Sequence, residues 1–504
     1  MRLVLALSLV LAVLGPVAAP ASAVVPGGFD PAKVDAFVTG YLDRHGLPGA
    51  AVAVVRDGEI VHEAGYGEDS GGGRLTEYTR LRIGSVSKSF TAFAVLRLVD
   101  EGRVALDAPV KRYLPDFAPS DAITVRHLLS HTSGLPNPAI VGPARSLAEG
   151  ADRVGGWSLS TKPGTSYTYS NANYWLAARI VEQVSGQNFN AYLADEIFAP
   201  LGMNDTVNTT TTHDPVSGLT QGHVTAYGGA LSVPEAEAMN SGSGGMVSTS
   251  HDMAAWLATQ QRAGLGPDGR RLLSAKLIRD SHTPQPGAGR AGLGWRRSGA
   301  GIVPERISHS GVVSGFNAQQ DLVPGSGYGV VVLLNSFTPS AEQAYAISSG
   351  IIDVTEGRAP DPGTPTATLI DLFLGALTLV GLALGILGLR RAPRWATRRA
   401  DRPAWRFALR LLPQLIAPAA AVFLFLVVPE LQSNSYTPAD VYRLFPALTT
   451  LLTALAISGA CLTAARVTAR VRPTASRTPH SAMADSASID SSISLGESKE
   501  LPRP

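Results

Sequence analysis

The sequence predicts an α+β domain with a central antiparallel sheet, followed by a transmembrane domain of three helices. Apolar residues recur at helical spacing from about residue 85 to residue 100, and again from about residue 174 to Gly186. Glycines and β-branched residues over 309–316 and 328–334 are typical of adjacent antiparallel strands. Three apolar stretches near the C-terminus each approach the ~20 residues needed to cross a bilayer.

The N-terminus has the pattern of a secretory signal peptide. One arginine precedes a continuous apolar stretch from residue 3 to residue 14, and Ala21-Ser22-Ala23 is a small-residue cleavage pattern. This pattern predicts a signal peptide over residues 1–23, with Val24 as the first mature residue. An uncleaved anchor is the alternative. Either interpretation places the domain that follows, residues 24–358, outside the cytoplasm.

Composition argues against several kinds of function. The chain carries 42 Lys and Arg against 40 Asp and Glu, a formal net charge of +2 that offers no electrostatic case for nucleic-acid binding. Cys461 is the only cysteine, so the exported domain has no disulfide and no cysteine metal site. His127 and His131 have the spacing of metal ligands, but no glutamate follows the first of them. The sequence therefore predicts no metal site.

Ser85 and Lys88 form a Ser-x-x-Lys pattern at the start of the first predicted helix. Positions i and i+3 share a helix face, so the Lys88 amine can reach the Ser85 hydroxyl. A serine hydroxyl is a poor nucleophile until a base takes its proton, and a desolvated lysine is such a base because burial lowers its pKa. The N–H groups of the helix N-terminus would lie where a tetrahedral oxyanion forms. Alone, the pattern is a weak signal.

A second polar motif, Tyr169-Ser170-Asn171, follows a turn and precedes the second predicted helix. Tyr169 has the chemistry to relay a proton, and Asn171 has the chemistry to hold a substrate amide. The alternative interpretation is an aromatic turn packed on the core, with Asn171 as a helix N-cap. Taken singly, the motif favours that structural interpretation.

The third motif is His309-Ser310-Gly311, at the start of the predicted strands. A residue as small as Gly311 lets a substrate lie along the strand edge, where the backbone N–H of Val312 is placed to donate to an oxyanion. A lone histidine is more often structural than catalytic. The order and separation of all three motifs make these residues candidates for one site.

Together the three motifs resemble those of the penicillin-binding serine hydrolases related to class C β-lactamases, namely Ser-x-x-Lys, Tyr-x-Asn and Lys/His-Thr/Ser-Gly. This family includes D-alanyl-D-alanine carboxypeptidases and several esterases. The resemblance extends from about residue 34 to residue 354 and includes segments 82–91, 124–135, 200–203 and 244–249. It implies a central antiparallel sheet flanked by helices, together with a mostly helical subdomain.

The resemblance also implies the catalytic roles. Ser85 would be the acyl-enzyme nucleophile, Lys88 would accept or share its proton, and Tyr169 would be the proton shuttle, first for the leaving group and later for the deacylating water. Acyl transfer to serine followed by hydrolysis requires neither a metal nor an organic cofactor.

The residues that the resemblance assigns to substrate binding are Asn171, His309, Ser310 and Gly311. Asn171 would hydrogen-bond the substrate's amide, and His309 would supply a polar or cationic contact at the far end of the substrate. The backbone N–H groups of Ser85 and Val312 would form the oxyanion hole.

One departure from the family pattern bears on the substrate. True class C β-lactamases usually carry Lys-Thr-Gly at the third motif, whereas this chain has His309-Ser310-Gly311. Histidine is mostly neutral near pH 7 unless its pKa is raised, so it does not offer the permanent charge of lysine. The departure argues against an efficient β-lactamase and leaves a carboxypeptidase, another peptidase and an esterase as close competitors. The first candidate substrate is a cell-wall peptide ending in D-alanine, with an esterase as the second candidate activity and a β-lactamase as the third. A slowly acylated β-lactam or peptide sensor is the non-enzymatic alternative.

The composition changes after the exported domain. Residues 359–366 are a proline-rich linker, and transmembrane helices are predicted at residues 367–389, 407–428 and 444–465. From residue 473 to residue 504 the chain is rich in small and polar residues, which predicts a disordered tail.

Arginine placement predicts the orientation of these helices. Seven arginines lie between the first two predicted spans and three follow the third, whereas residues 429–443 contain a single one. The positive-inside rule places the arginine-rich loop and the tail in the cytoplasm and the catalytic domain outside it. The sequence thus predicts a multi-pass protein of the cell membrane with the bilayer and a small peptide or ester as partners. It identifies no protein partner.

Overall fold

The computed structural model describes residues 29–137, 144–428 and 437–471. The predicted signal peptide and the predicted disordered tail lie outside these ranges. The strands are β1 (Gly49–Arg56), β2 (Glu59–Gly67), β3 (Leu81–Arg82), β4 (Val207–Asn208), β5 (His223–Ala226), β6 (Gly229–Ser232), β7 (Met246–Ser248), β8 (Arg296–Arg297), β9 (Ile307–Val313), β10 (Phe316–Val323), β11 (Tyr328–Leu334) and β12 (Ser336–Phe337).

The α-helices are α1 (Pro31–His45), α2 (Ser87–Asp100), α3 (Val125–Leu129), α4 (Leu147–Gly155), α5 (Ala172–Ser185), α6 (Phe189–Leu193), α7 (Ala199–Leu201), α8 (Ser250–Gln261), α9 (Ala275–His282), α10 (Gln343–Thr355), α11 (Thr366–Thr397), α12 (Ala404–Leu409), α13 (Leu412–Val422), α14 (Pro438–Leu444) and α15 (Pro446–Val471). Short 3₁₀ turns lie at Gly84–Val86 and Val110–Arg112, and π-helical turns at Ala194–Phe198 and Phe423–Val427.

The central sheet has six strands in the order β2-β1-β11-β10-β9-β8, and every neighbouring pair is antiparallel. The predicted α+β fold with a central antiparallel sheet is confirmed. The prediction that β9 and β11 are adjacent is wrong, because β10 lies between them. This strand escaped prediction because it carries Gln319, Gln320 and Asp321, although all of its residues are buried.

Helices cover both faces of this sheet. On one face, Val34 of α1 and Ile347 of α10 belong to an apolar cluster with residues of β1 and β11. On the other face, Phe90 of α2 stacks on Trp256 of α8, with ring centroids 3.9 Å apart. Full burial of one such aromatic side chain contributes about 1.5–3 kcal/mol to stability.

A helical subdomain packs beside the sheet, and the candidate site lies between the two. Helices α3, α4 and α6 surround α5, and α5 packs against α2. The first predicted helix begins two residues later than expected, because α2 starts at Ser87 and Ser85 lies in the preceding 3₁₀ turn. Gly84 has a positive φ of 50°, which breaks regular helix at this point.

The apolar segments near the C-terminus form helices, but not all in the predicted way. Helices α11 and α15 are long and apolar enough to cross a membrane. The middle predicted span is divided, since α12 ends at Leu409 and α13 begins at Leu412, with Pro413 in its first turn. A proline ends the preceding helix and starts a new one because it lacks an N–H. The apolar helix that follows, Leu412–Val427, is shorter than α11 and α15, and its role as a third spanning helix stays a prediction.

Small residues let these helices approach closely. A Cβ added at Gly385 of α11 would lie 2.9 Å from Ser458 Cβ of α15. The N-terminal part of α11 also contacts the catalytic domain, because the Tyr227 backbone N–H donates to Asp371 Oδ2 (3.0 Å). Apolar side chains on the outer surface remain exposed, as shown by the 70% exposure of Leu379.

Candidate active site

The turn that carries Ser85 is fixed by hydrogen bonds on both sides. Ser87 Oγ donates to the Gly84 carbonyl (2.6 Å) and accepts from the Met246 backbone N–H of β7 (3.2 Å). The Ile83 backbone N–H donates to the Met246 carbonyl (3.1 Å). Ser85 is therefore held half-buried at the wall of a cleft rather than on a mobile loop.

Two side chains donate to the Ser85 hydroxyl oxygen. Lys88 Nζ donates to Ser85 Oγ (3.0 Å), and Tyr169 OH donates to the same atom (2.8 Å). Lys88 Nζ also donates to Asn171 Oδ1 (2.9 Å) and to the Ser243 carbonyl (2.7 Å). The first two sequence motifs thus meet in one hydrogen-bonded network around Ser85.

Asn171 occupies the N-cap position of α5 but makes no side-chain capping hydrogen bond. Its Oδ1 accepts from Lys88 instead, and its backbone N–H donates to Asn137 Oδ1 (3.1 Å). The interpretation of Asn171 as a helix cap is therefore not supported by its geometry. Its Nδ2 makes no hydrogen bond with a described residue, which leaves an amide donor beside the network.

Burial holds the pKa of Lys88 well below its usual 10.5. The amine is fully buried, and each of its three acceptors is an uncharged oxygen. Removing an ammonium from water without a carboxylate partner favours the neutral amine. Lys88 consequently has the chemistry of a base near neutral pH.

Tyr169 has the opposite character, because burial raises its pKa and the phenol keeps its proton. His131 stacks on the Tyr169 ring with centroids 4.4 Å apart, and its Nδ1 accepts from the Ser170 backbone N–H (3.1 Å). Burial lowers the pKa of His131 well below 6.5, so the imidazole is neutral. His131 thus packs against the Tyr169 ring, a contact that its spacing from His127 did not indicate.

The third motif forms the facing wall. His309, Ser310 and Val312 of β9 line the same cleft of about 560 Å³ as Ser85 and Tyr169. Burial lowers the pKa of His309 to about 4, and its Nδ1 lies 2.7 Å from the Ser310 carbonyl, to which it donates. Of the two contacts expected from His309, the geometry therefore favours the polar one over the cationic one.

Gly311 lets β9 touch the Ser85 turn. A Cβ built at Gly311 would lie 1.9 Å from the Ile83 carbonyl oxygen and 3.0 Å from the Ser85 backbone nitrogen. Likewise, a Cβ at Gly84 would lie 2.8 Å from the Val312 backbone nitrogen. The two N–H groups expected to form the oxyanion hole therefore belong to backbone segments in direct contact.

We expect Gly311→Ala to lower the free energy of unfolding by about 1–3 kcal/mol, the usual cost of forcing extra volume into a packed site. The new methyl group would push β9 away from the turn, so activity should fall as well. Chemical denaturation of the purified chain in detergent measures the first effect. Gly325→Ala is the matched control, because nothing lies within 4 Å of a Cβ at that position. Equal stability of the two variants would contradict the prediction.

Two charged residues of the cleft were missed by sequence reasoning. Arg296 of β8 lies with its guanidinium carbon 5.7 Å from the centre of the Tyr167 ring, and it forms no ion pair with a described residue. Glu342, which precedes α10, also lines the cleft and makes no side-chain hydrogen bond within the described ranges. Both lie outside the three motifs, and only the fold brings them to the cleft.

No group of three or more His, Cys, Asp or Glu side chains that could hold a metal ion occurs among the residues that the structure describes. His127 is engaged elsewhere, since its Nδ1 accepts from the Thr124 backbone N–H (3.3 Å).

Comparisons with known proteins agree with this geometry. The sequence model of the beta-lactamase family matches residues 34–349. The chain is 28% identical over 325 residues to Protein flp of Staphylococcus aureus (strain MW2), covering 60% of this chain and 62% of that protein. It is 31% identical over 318 residues to Penicillin-binding protein 4 of Amycolatopsis lactamdurans, covering 58% of this chain and 82% of that protein.

Two solved structures share the fold. The octameric penicillin-binding protein homologue from Pyrococcus abyssi superposes with a TM-score of 0.56 at 24% identity, covering 69% of this chain and 81% of that chain. The crystal structure of SurE superposes with a TM-score of 0.54 at 26% identity, covering 64% and 76%. The chain thus spans less than two thirds of the Staphylococcus aureus relative but most of these solved chains.

Proposed function

Since the chain belongs to the beta-lactamase family, we propose that it is a membrane-anchored, extracytoplasmic serine hydrolase that acts through a Ser85 acyl-enzyme. The proposed substrates are peptides that end in a free carboxylate, with D-alanine-terminated cell-wall peptides as the first candidate. The similarity to Penicillin-binding protein 4 of Amycolatopsis lactamdurans supports a serine that β-lactams can acylate.

The network around Ser85 supports acylation. Neutral Lys88 takes the Ser85 proton as Oγ attacks the substrate carbonyl, and the N–H groups of Ser85 and Val312 stabilise the oxyanion. The carbon–nitrogen bond then breaks, and Tyr169 gives its phenolic proton to the leaving amine. Lys88 then returns a proton to Tyr169. The net result is the transfer of one proton from Ser85 to the amine.

Deacylation reverses these roles. A water molecule attacks the Ser85 ester and gives its proton to the Tyr169 and Lys88 pair, which returns a proton to Ser85 Oγ as the carbon–oxygen bond breaks. We expect Asn171, whose Oδ1 accepts from Lys88, to donate from Nδ2 to the substrate's amide carbonyl. The cycle needs only groups that the structure brings together.

The observation that carries the choice of substrate is the position of Arg296, whose exposed side chain lies at the cleft. Its guanidinium lines the cleft and pairs with no described carboxylate, and it forms no ion pair with Glu342, the other charged residue of the cleft. A carboxylate at the end of a peptide would supply the missing partner through charge-assisted hydrogen bonds. The neutral state of His309 leaves Arg296 as the cation of this cleft.

A pair of peptides tests this proposal. We expect Arg296→Gln to reduce kcat/KM for a peptide ending in D-alanyl-D-alanine by about 10- to 100-fold, as loss of a charged hydrogen bond predicts. The same peptide with a C-terminal amide should be a poor substrate that the substitution leaves unchanged. Arg290→Gln is the control, since Arg290 is exposed nearby but does not line the cleft. Equal losses on both peptides, or turnover of esters alone, would overturn the peptide assignment.

The helix packing supports the proposed membrane placement. Asp371, near the start of α11, contacts the catalytic domain, whereas the arginines from Arg390 onwards follow the apolar part of the same helix. At 1.5 Å per residue, the 19 residues of helix that separate Asp371 from Arg390 rise about 29 Å, close to the ~30 Å thickness of the hydrocarbon core of a bilayer. The arginine-rich end would then face the cytoplasm.

A further inference from the structure

Three arginines gather at the end of the apolar helices opposite the catalytic domain. The guanidinium carbons of Arg399 and Arg466 lie 4.5 and 4.2 Å from the centre of the Trp395 ring. The guanidinium carbon of Arg470 lies 4.3 Å from the centre of the Phe407 ring. The two rings touch with centroids 5.4 Å apart, so Arg399, Arg466 and Arg470 form one arginine cluster.

The arginine cluster lacks a counter-ion within the described part of the chain, as none of its members forms an ion pair there. Each also has a buried nitrogen without a hydrogen-bond partner, namely Arg399 Nε, Arg466 Nε and one Nη of Arg470. Arg97 and Arg358 also have such a nitrogen, but they pair with Glu196 (2.6 Å) and Asp353 (2.8 Å) respectively. Arg306 has such a nitrogen and forms no ion pair with a described residue. The cluster differs from Arg306 in that it brings three such arginines together.

Within the ranges that the structure describes, the surroundings do not supply the missing anion. Asp401 is the only acidic residue from residue 372 to residue 428, and it is exposed and forms no ion pair with a described residue. Crowding guanidinium groups around two touching rings without an anion costs free energy through mutual repulsion and unmet donors. An anion from outside the chain would relieve both costs.

We propose that the arginine cluster binds the phosphate group of an anionic phospholipid. A guanidinium presents paired N–H donors that match phosphate oxygens, and it stacks on aromatic rings more readily than an ammonium does. The cluster lies just beyond the apolar part of α11, at the level where headgroups would meet the protein if α11 and α15 span a bilayer. The exposed apolar side chains of these helices would contact the acyl chains. The site does not depend on the hydrolase activity.

Native mass spectrometry of the full chain in detergent tests this site. Delipidated protein is titrated with phosphatidylglycerol, with phosphatidylcholine and with inorganic phosphate. We expect phosphatidylglycerol to bind at least about tenfold more tightly than phosphatidylcholine, as one or more charge-assisted contacts predict. The combined substitution Arg399→Gln, Arg466→Gln and Arg470→Gln should abolish this preference.

The matched control carries the same loss of charge at exposed arginines, Arg390→Gln, Arg391→Gln and Arg398→Gln, and should keep the preference. An equal loss of the phosphatidylglycerol preference in this control would show that anionic lipid is attracted to basic residues in general, which would overturn the proposal. So would an unchanged preference in the cluster variant, or binding of inorganic phosphate without retention of lipid. If the glutamine variant fails to fold, lysine at the same three positions keeps the charge but removes the paired donors. We expect the lysine variant to show a preference between the other two.

Discussion

Replacing Ser85 with alanine is expected to abolish covalent labelling by penicillin and to reduce kcat by about 10³-fold or more, as loss of a catalytic nucleophile does in other serine hydrolases. Both donors of the network, Lys88 Nζ and Tyr169 OH, converge on Ser85 Oγ. Without that oxygen, no other hydroxyl is held between a buried amine and a phenol in the described part of the cleft. Substrate binding should change little, because the β9 wall and Arg296 remain.

The intact mass of the purified chain, measured after exposure to penicillin, gives the clearest readout. The wild-type protein should gain the mass of one penicillin molecule, and the Ser85→Ala variant should gain none. Ser89→Ala is the matched control, because Ser89 lies one turn along α2 and its hydroxyl donates to the Val86 carbonyl rather than facing the cleft. An adduct on the alanine variant would assign the acylated residue elsewhere. Failure of the wild type to react with penicillin would favour esters or other peptides as the substrates.

The core of the candidate site was predictable because its residues lie in three short motifs. Ser85 and Lys88 are three positions apart, a spacing that brings them to one helical face, and Tyr169 and Asn171 are two positions apart in one turn, so each pair is close along the chain. The motif resemblance then indicated that the pairs meet. The fold class followed from the same resemblance together with the apolar strand patterns.

The features of the site and of the fold that the sequence did not predict depend on long-range packing. Arg296 reaches the cleft because β8 pairs with β9, and Glu342 reaches it because α10 packs on β10 and β11. Nothing in their local sequence marks these two residues. β10 was missed because its amide side chains disguise a strand whose polar groups bond to α2 and α10, as Gln320 does with Ser89 (3.0 Å). The middle apolar helix was predicted too long because Pro413 restarts it, an effect that hydropathy alone does not register.

Replacing Lys88 with methionine should lower kcat/KM by about 10²- to 10⁴-fold, the usual contribution of a general base. Methionine fills a similar volume but cannot accept the Ser85 proton. In the wild type, kcat/KM should fall on the acid side as Lys88 becomes protonated, at a pH well below 10.5 because burial lowers its pKa. The methionine variant should lose this acid limb, which pH–rate profiles of the two proteins would reveal. Retention of the same limb in the variant would assign it to another group.

The pH dependence of the free energy of unfolding should report the protonation of Lys88 independently of catalysis. Between the pKa of folded Lys88 and 10.5, the unfolded chain binds a proton that the folded chain does not. The free energy of unfolding therefore rises with pH across this window, by at most about 1.4 kcal/mol per pH unit, and the contribution is complete above 10.5. The Lys88→Met variant lacks this contribution. The difference in unfolding free energy between wild type and variant should thus increase with pH and then level off.

Denaturant titrations of both proteins in detergent at several pH values between 6 and about 10.5, the upper end of the lysine range, would measure this difference. A rising difference together with a lost acid limb would mean that one buried amine accounts for both effects. A flat difference would mean that Lys88 keeps its charge when folded. In that case the amine could not accept the Ser85 proton in the ground state, and Tyr169, 2.8 Å from Ser85 Oγ, would have to provide the base.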